Sequence, residues 1–208
     1  MKIEKVNGFW VPSNDIHIDD WKTGKPFTQN KCLNKFLEYC QSQSKKFKLV
    51  LDIGAWCGTW SFAIQPYATK VVAFEPDATH FTCLQRNCLS TDARQEAIGN
   101  ETKYITLTKD NFTQAKRIED IEGKIRMTTI DSFDYPNVGV MKIDVEGYEM
   151  HVLQGAEKTL ERTEYLMIEL NNNTKKYGSN NIEVEKYLHQ KGFKVLLEHW
   201  PDKVFYRP

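Results

Sequence analysis

The chain has 208 residues with 28 basic and 28 acidic side chains, and its hydrophobic content of 40% is ordinary for a globular protein. The balanced charge argues against a nucleic-acid partner, because nucleic-acid-binding domains usually carry a basic excess. No apolar stretch approaches the roughly 18 residues that span a bilayer, and no signal peptide is evident, so we expect no membrane contact.

The N-terminal quarter is expected to form a cap segment and a helix. Lys5 to Trp21 is aromatic and is predicted to be irregular, with Pro12 as a breaker. Residues 28–45 show the apolar spacing of a helix, for which Thr28 is a plausible N-cap. A chain of this length fits one domain, so we predict a single domain over 1–208. Within it, 1–47 forms the cap segment and its helix, and 48–208 forms the core.

The core is predicted to alternate strands with helices. The predicted strands are 48–53, 70–74, 94–98, 138–144 and 165–170, and the predicted helices are 59–66, 77–88, 147–160 and 182–191. Two further segments, 104–108 and 124–130, are expected to pair as an excursion, and 193–199 with 203–206 as a terminal hairpin. This order predicts an α/β fold with a doubly wound, mostly parallel sheet that ends in an antiparallel strand.

The cysteine count is odd, at five, and no two cysteines form a CxxC pair. This pattern favours reduced thiols over a disulfide framework or a zinc site. We therefore expect a cytoplasmic protein.

The stretch Val50 to Trp60 is the most informative part of the chain. Its apolar strand leads into a turn with Gly54 and Gly58, and a helix is predicted from Thr59. Glycines let a backbone approach a ligand closely, and a helix N-terminus offers free N–H groups. The next strand ends in Glu75, where an acid is placed to bind ribose hydroxyls. These features indicate a nucleoside-binding α/β domain.

Acidic side chains occur at or near the ends of four predicted strands. They are Asp52, Glu75, Asp144 with Glu146, and Glu169. Ligands of open α/β sheets bind at this edge, and clustered acids suit a cationic or hydroxyl-rich ligand. Glu146 and Glu149 can alternatively stabilise the first turn of a helix. Asp144, Glu146 and Glu169 are candidate ligands for Mg²⁺ or Ca²⁺, although no spacing is diagnostic and a divalent metal is not favoured.

The turn differs from the dinucleotide fingerprint GxGxxG, because Trp56 stands where a glycine is needed. It resembles the DxGxxxG cradle of class I S-adenosylmethionine-dependent methyltransferases. A longer series is similar to the FkbM-type methyltransferase family: AFEPD (73–77), Asn87, EAIGN (96–100), TTIDSF (128–133), MKIDVEGYEMHVLQGA (141–156) and IEL (168–170). This resemblance covers roughly residues 48–170. It implies a Rossmann-like fold with a mostly parallel seven-stranded sheet and a C-terminal antiparallel hairpin.

The resemblance also implies roles for individual residues. Glu75 would bind both ribose hydroxyls, the glycine turn would hold the amino-acid end of the cofactor, and Asp52 would bind the amino group or support the turn. The region around Glu96 would meet the adenine. The cofactor-binding residues implied in this way are Asp52, Gly54, Ala55, Cys57, Gly58, Glu75, Pro76, Asp77, Glu96, Ala97 and Asp144.

The family implies transfer of a methyl group from S-adenosylmethionine to a hydroxyl, often of a sugar or natural product. An alcohol is a poor nucleophile, so a base or metal should assist it. Asp144 is the best candidate at the reacting centre, and Lys142 points to the same face of its strand. His17, in the cap, is a candidate base. A small molecule or glycan is the expected acceptor.

Three other functions remain open from the sequence. A nucleic-acid methyltransferase is disfavoured by the neutral charge and by the missing (D/N/S)PP(Y/F) motif. A nicotinamide-dependent oxidoreductase is disfavoured by the glycine spacing. A non-catalytic S-adenosylmethionine-binding module is disfavoured by the intact turn and acids. The identity of the acceptor and the oligomeric state cannot be read from the pattern.

Overall fold

A computed structural model describes residues 2–25, 31–108, 118–119 and 123–208 of the chain, with only the backbone described at position 172. The cap begins with strands β1 (Ile3–Val6) and β2 (Phe9–Pro12), followed by helices α1 (Ile18–Lys22) and α2 (Lys31–Ser42). Strands β1 and β2 pair antiparallel around Asn7-Gly8, both of which have positive φ angles. The prediction that this segment is irregular is therefore wrong. A two-residue Asn-Gly loop is a strong hairpin signal, and the prediction gave more weight to the aromatic composition. Thr28, the predicted N-cap, lies outside the described residues.

The remaining elements follow in chain order. They are β3 (Phe47–Ile53), α3 (Thr59–Ile64), β4 (Ala68–Phe74), α4 (Ala78–Asn87), β5 (Asp92–Arg94), β6 (Ala97–Ile98), β7 (Lys103–Leu107), β8 (Ile118–Glu119), β9 (Ile125–Thr128), β10 (Val138–Ile143), α5 (Glu149–Gln154), α6 (Glu157–Leu160), β11 (Thr163–Glu169), α7 (Asn181–Gln190), β12 (Lys194–His199) and β13 (Asp202–Tyr206).

The main sheet has seven strands in the order β12–β13–β11–β10–β3–β4–β5. The five strands from β11 to β5 are parallel, and β13 and β12 form an antiparallel hairpin at one edge. This confirms the predicted α/β architecture with its terminal hairpin. The predicted excursion is confirmed as well, since β7 pairs antiparallel with β9 in a smaller second sheet.

Helices cover both faces of the main sheet, which explains why its central strands are apolar throughout. In β3, Val50 packs against one buried cluster and Leu51 against the other. The Val50 cluster contains residues of α2 and α3, including Phe36 and Ile64. The Leu51 cluster contains residues of α5, α6 and α7. Because side chains alternate along a strand, burial on both faces requires a continuous apolar run.

Two predicted elements are divided in the structure. The prediction of a single strand over 94–98 is wrong. Arg94 is the last residue of β5 in the main sheet, whereas Ala97–Ile98 pairs with β9 in the second sheet. The predicted helix 147–160 is wrong as one unit, because it breaks at Gly155 between α5 and α6. A Cβ atom at Gly155 would lie 1.9 Å from the carbonyl oxygen of Gly99, so the break coincides with a close backbone approach.

Candidate active site

The glycine turn lies directly after β3, at the carboxyl edge of the sheet. Gly54, Trp56 and Gly58 all have positive φ angles. A Cβ atom at Gly54 would lie 1.8 Å from the carbonyl oxygen of Asp144, so only glycine fits beside the end of β10. The Gly58 N–H donates to the Ala55 carbonyl at 2.8 Å and closes the turn. The turn is therefore packed against the strand end that carries Asp144.

Lys142 joins the turn to the two strand-end acids beside it. Its Nζ donates to the Gly54 carbonyl at 2.8 Å and lies 3.3 Å from Asp52 Oδ1 and 3.4 Å from Asp144 Oδ2. Asp52 is fully buried, and its other oxygen accepts a 2.6 Å bond from Ser61 Oγ. Burial raises the pKa of Asp52, and the positive charge of Lys142 partly offsets this effect. For Lys142, burial lowers the pKa, but the negative charges of Asp52 and Asp144 have the larger effect, and the lysine pKa is raised. These contacts support the turn, and a catalytic role for Lys142 stays a prediction.

Glu75 directly follows β4, and backbone N–H groups hold its carboxylate in place. Oε2 accepts from the Trp56 N–H at 2.9 Å, and Oε1 accepts from the Asp77 N–H at 2.8 Å. His80 Nδ1 lies 3.6 Å from Oε1. Each carboxylate oxygen retains a second lone pair, so the group can accept two further hydrogen bonds from a ligand.

Three carboxylates meet beside the turn, as the strand-end pattern predicted. One oxygen each of Asp144, Glu146 and Glu169 lies within 4.8 Å of the others. Asn173 Nδ2 donates to Glu146 at 3.0 Å, and Asn171 Nδ2 donates to Glu169 at 2.7 Å. Burial, and then the charges of Asp144 and Glu146, raise the pKa of Glu169 to about 9. Carboxylate oxygens suit Mg²⁺ or Ca²⁺, so the cluster stays a candidate metal site, as in the sequence analysis, where a metal was not favoured.

The loop between β10 and α5 is held from inside by Glu149. Its Oε1 accepts from the Gly147 N–H at 2.9 Å, in a loop where Glu146 and Gly147 have φ angles of 56° and 111°. Glu149 is fully buried, and burial raises its pKa to about 7. Glu149 is the first residue of α5, and its hydrogen bond to Gly147 also stabilises the turn that contains Glu146.

These elements surround one cavity of about 690 Å³. Its walls come from the glycine turn, the strand ends, the second sheet and the cap. The predicted site residues that line it are His17, Gly54, Ala55, Glu75, Pro76, Glu96, Ala97, Lys142, Asp144, Glu146 and Glu169.

Four predicted cofactor-binding residues do not line the cavity among the described residues: Asp52, Cys57, Gly58 and Asp77. Asp52 lies beneath the turn, so its geometry favours support of the turn over ligand contact. Asp77 caps α4 by accepting from the N–H groups of Thr79 and His80. Cys57 is fully buried, and α4 packs closely under Gly58.

The cap contributes wall residues in addition to the predicted His17. Asp20, Trp21 and Lys25 line the cavity together with His17. The Trp21 and Trp56 rings lie 5.6 Å apart, so the cap contacts the glycine turn directly. His80 of α4 is also in the wall. Three tryptophans, Trp21, Trp56 and Trp60, line the cavity and could stack on a ligand.

The second sheet contributes a mostly apolar part of the cavity wall. Its lining residues are Ala97, Ile98, Leu107 and Ile118, and Phe74 of the main sheet is a further apolar lining residue. Glu96, directly before Ala97, also lines the cavity and accepts from Arg126 Nη1 at 2.6 Å. A flat apolar ligand group with a polar edge fits such surroundings.

None of the helices within the described residues is both long enough and apolar enough to cross a membrane.

No match to a curated protein is found for this chain.

Solved structures share this fold at low sequence identity. An FkbM methyltransferase from Methylobacillus flagellatus KT is 17% identical with a TM-score of 0.57; the match covers 77% of this chain but only 43% of that protein. The N-methyltransferase NodS from Bradyrhizobium japonicum WM9, in complex with S-adenosyl-L-homocysteine, is 10% identical with a TM-score of 0.55, over 91% of this chain and 92% of NodS. An rRNA methylase from Streptococcus thermophilus is 13% identical with a TM-score of 0.52, over 86% and 96%.

The sequence itself identifies the family. Residues 50–195 match the methyltransferase FkbM domain, and this region contains the glycine turn, Glu75 and the three clustered acids. The chain therefore belongs to the FkbM methyltransferase family.

Proposed function

We propose that this methyltransferase moves the methyl group of S-adenosylmethionine to a hydroxyl group of a small molecule or glycan. One observation carries the proposal: a single cavity combines the glycine turn, the Glu75 carboxylate and the clustered acids Asp144, Glu146 and Glu169. The cavity thus offers a nucleoside site and a polar acceptor site next to each other.

The cofactor would lie along the strand ends. Glu75 has lone pairs available for the two ribose hydroxyls, and the turn at Gly54 and Ala55 would hold the amino-acid end. The apolar surroundings of Glu96 would accept the adenine. NodS, which has the same type of fold, is described in complex with S-adenosyl-L-homocysteine, and this supports the choice of cofactor.

The charge of the cavity supports a neutral or cationic acceptor. The carboxylates of Asp20, Asp144 and Glu146 line it, together with those at the proposed nucleoside end, and the Glu169 carboxyl, whose pKa is raised, adds a neutral polar group near pH 7. Its lysines are already paired, since Lys25 Nζ donates to Asp20 at 2.7 Å and Lys142 faces two carboxylates. A polyphosphate chain would meet uncompensated repulsion here, whereas hydroxyl groups can donate to the carboxylates.

Methyl transfer to an alcohol needs alignment and removal of one proton. S-adenosylmethionine supplies an electrophilic methyl group on a sulfonium. The acceptor oxygen forms a bond to that carbon as the carbon–sulfur bond breaks, and the hydroxyl proton passes to a base. Asp144 is the proposed base, because it lines the cavity at the end of β10 and Lys142 fixes one of its oxygens. His17 is the alternative base, located on the cap side of the same cavity.

The test combines binding with an acceptor screen. Calorimetry should show S-adenosylhomocysteine binding. Incubation with S-adenosylmethionine and a panel of sugars, polyols, amines and RNA should yield a product in which one methyl replaces one hydrogen, seen by mass spectrometry, only with the sugars or polyols. Asp144→Asn should lower kcat at least about 100-fold, the low end of the range for loss of a general base. The matched control Asp134→Asn changes an exposed carboxylate and should leave kcat unchanged. Methylation of amines alone would refute hydroxyl transfer, and methylation of RNA alone would refute a small-molecule or glycan acceptor.

A further inference from the structure

We propose that Asn87 is a positioning residue that couples the N-terminal hairpin to the cofactor turn, so that cofactor binding is transmitted to the cap. The proposal rests on the cofactor site proposed above and adds a connection between that site and strands β1 and β2. No residue of this hairpin lines the cavity as far as the structure describes it.

The side-chain amide of Asn87 makes three hydrogen bonds to backbone groups. Its Oδ1 accepts from the Trp10 N–H at 2.7 Å, and its Nδ2 donates to the Trp10 carbonyl at 2.8 Å. The same Nδ2 donates to the Cys57 carbonyl at 2.8 Å. Asn87 therefore pairs with the backbone of β2 as a neighbouring strand would, and its remaining N–H holds the glycine turn.

The position of this amide makes the link direct. Cys57 lies between Trp56 and Gly58, which both have positive φ angles, so its carbonyl belongs to the strained part of the turn. Gly54 and Ala55, in the same turn, line the cavity. A ligand that fixes this turn also fixes the Cys57 carbonyl, and Asn87 passes that constraint to Trp10.

Asparagine is required by the donor and acceptor pattern. An aspartate at this position could still accept from the Trp10 N–H, but its second oxygen would face two carbonyl oxygens. Asn87→Asp thus removes both donor contacts while it preserves the size of the side chain. Gln85→Glu is a matched control, because it makes the same amide-to-carboxylate change at an exposed position of the same helix.

Hydrogen exchange measured by mass spectrometry tests the coupling. In the unmodified chain, saturating S-adenosylhomocysteine should slow exchange at least threefold in peptides from residues 3–12 as well as in peptides that contain Glu75. In Asn87→Asp, the Glu75 peptides should still be protected at saturation, but the 3–12 peptides should not. Calorimetry should show at least tenfold weaker binding for Asn87→Asp and a change below twofold for Gln85→Glu.

The outcomes separate this proposal from the proposed function. Unchanged exchange over residues 3–12 in the unmodified chain, with binding confirmed by calorimetry, would overturn the coupling and leave the cofactor site intact. Persistent protection of residues 3–12 in Asn87→Asp would likewise overturn it. Absence of any binding to the unmodified chain would overturn both proposals. Because the first comparison needs no variant, the test holds even if Asn87→Asp fails to fold.

Discussion

Replacement of Glu75 by alanine tests the proposed nucleoside site most directly. The Glu75 carboxylate accepts from the N–H groups of Trp56 and Asp77. In the proposed complex it also accepts from two ribose hydroxyls. The substitution removes the ligand contacts and leaves two backbone donors without their acceptor.

The expected magnitude follows from these contacts. A hydrogen bond to a charged group contributes about 1.5–3 kcal/mol, so loss of two such bonds costs at least about 3 kcal/mol of binding free energy. Since about 1.4 kcal/mol corresponds to a tenfold change, the Kd for S-adenosylhomocysteine should rise at least about 100-fold. The two orphaned N–H groups should lower the free energy of unfolding by about 1–3 kcal/mol each where they stay dry.

A ligand modified at the ribose separates these two effects. Calorimetry would compare S-adenosylhomocysteine with its 2′,3′-dideoxy analogue on the unmodified chain and on Glu75→Ala. We expect the analogue to bind the unmodified chain much more weakly than the parent compound, and both compounds to bind the variant equally. A variant that still prefers the parent compound, or a Kd within threefold of the original, would refute the role of Glu75.

Three further predictions concern stability. Lys142→Met should lower the free energy of unfolding by about 3–5 kcal/mol in urea titrations, because it leaves buried Asp52 without its cation. Glu149 has a folded-state pKa raised to about 7, so its contribution to stability should fall as pH rises from 5 to 8; Glu149→Gln should lose less unfolding free energy over that range. Gly155→Ala should lower the thermal midpoint markedly, because its Cβ would overlap the Gly99 carbonyl oxygen.

Each of these predictions has a matched control on the same molecule. Lys158→Met removes an exposed lysine and should change the free energy of unfolding by less than about 0.5 kcal/mol. Glu161→Gln alters an exposed carboxylate and should leave the pH dependence intact. Gly178→Ala places a Cβ in open space at a positive φ, so it reports backbone strain without overlap. Equal effects in a variant and its control would contradict the corresponding prediction.

Local rules were sufficient for much of the fold. Apolar runs predicted the central parallel strands, and Pro201-Asp202 predicted the terminal hairpin that the structure contains. The strand 94–98 and the helix 147–160 were predicted as single units, because nothing local shows that Ala97–Ile98 joins another sheet or that Gly155 meets Gly99. Such divisions depend on segments that are distant in sequence and close in space.

The candidate site shows the same division between local and tertiary information. By itself, the sequence determined that acids follow neighbouring parallel strands, and the geometry of such sheets brings Asp144, Glu146 and Glu169 together at one edge. The sequence left open whether Asp52 contacts the ligand or supports the turn, and only the tertiary structure decided that it turns inward to Lys142 and does not line the cavity as described. The reason is physical: side-chain burial and pairing depend on neighbours supplied by other strands and by the cap, and short-range patterns do not specify those neighbours.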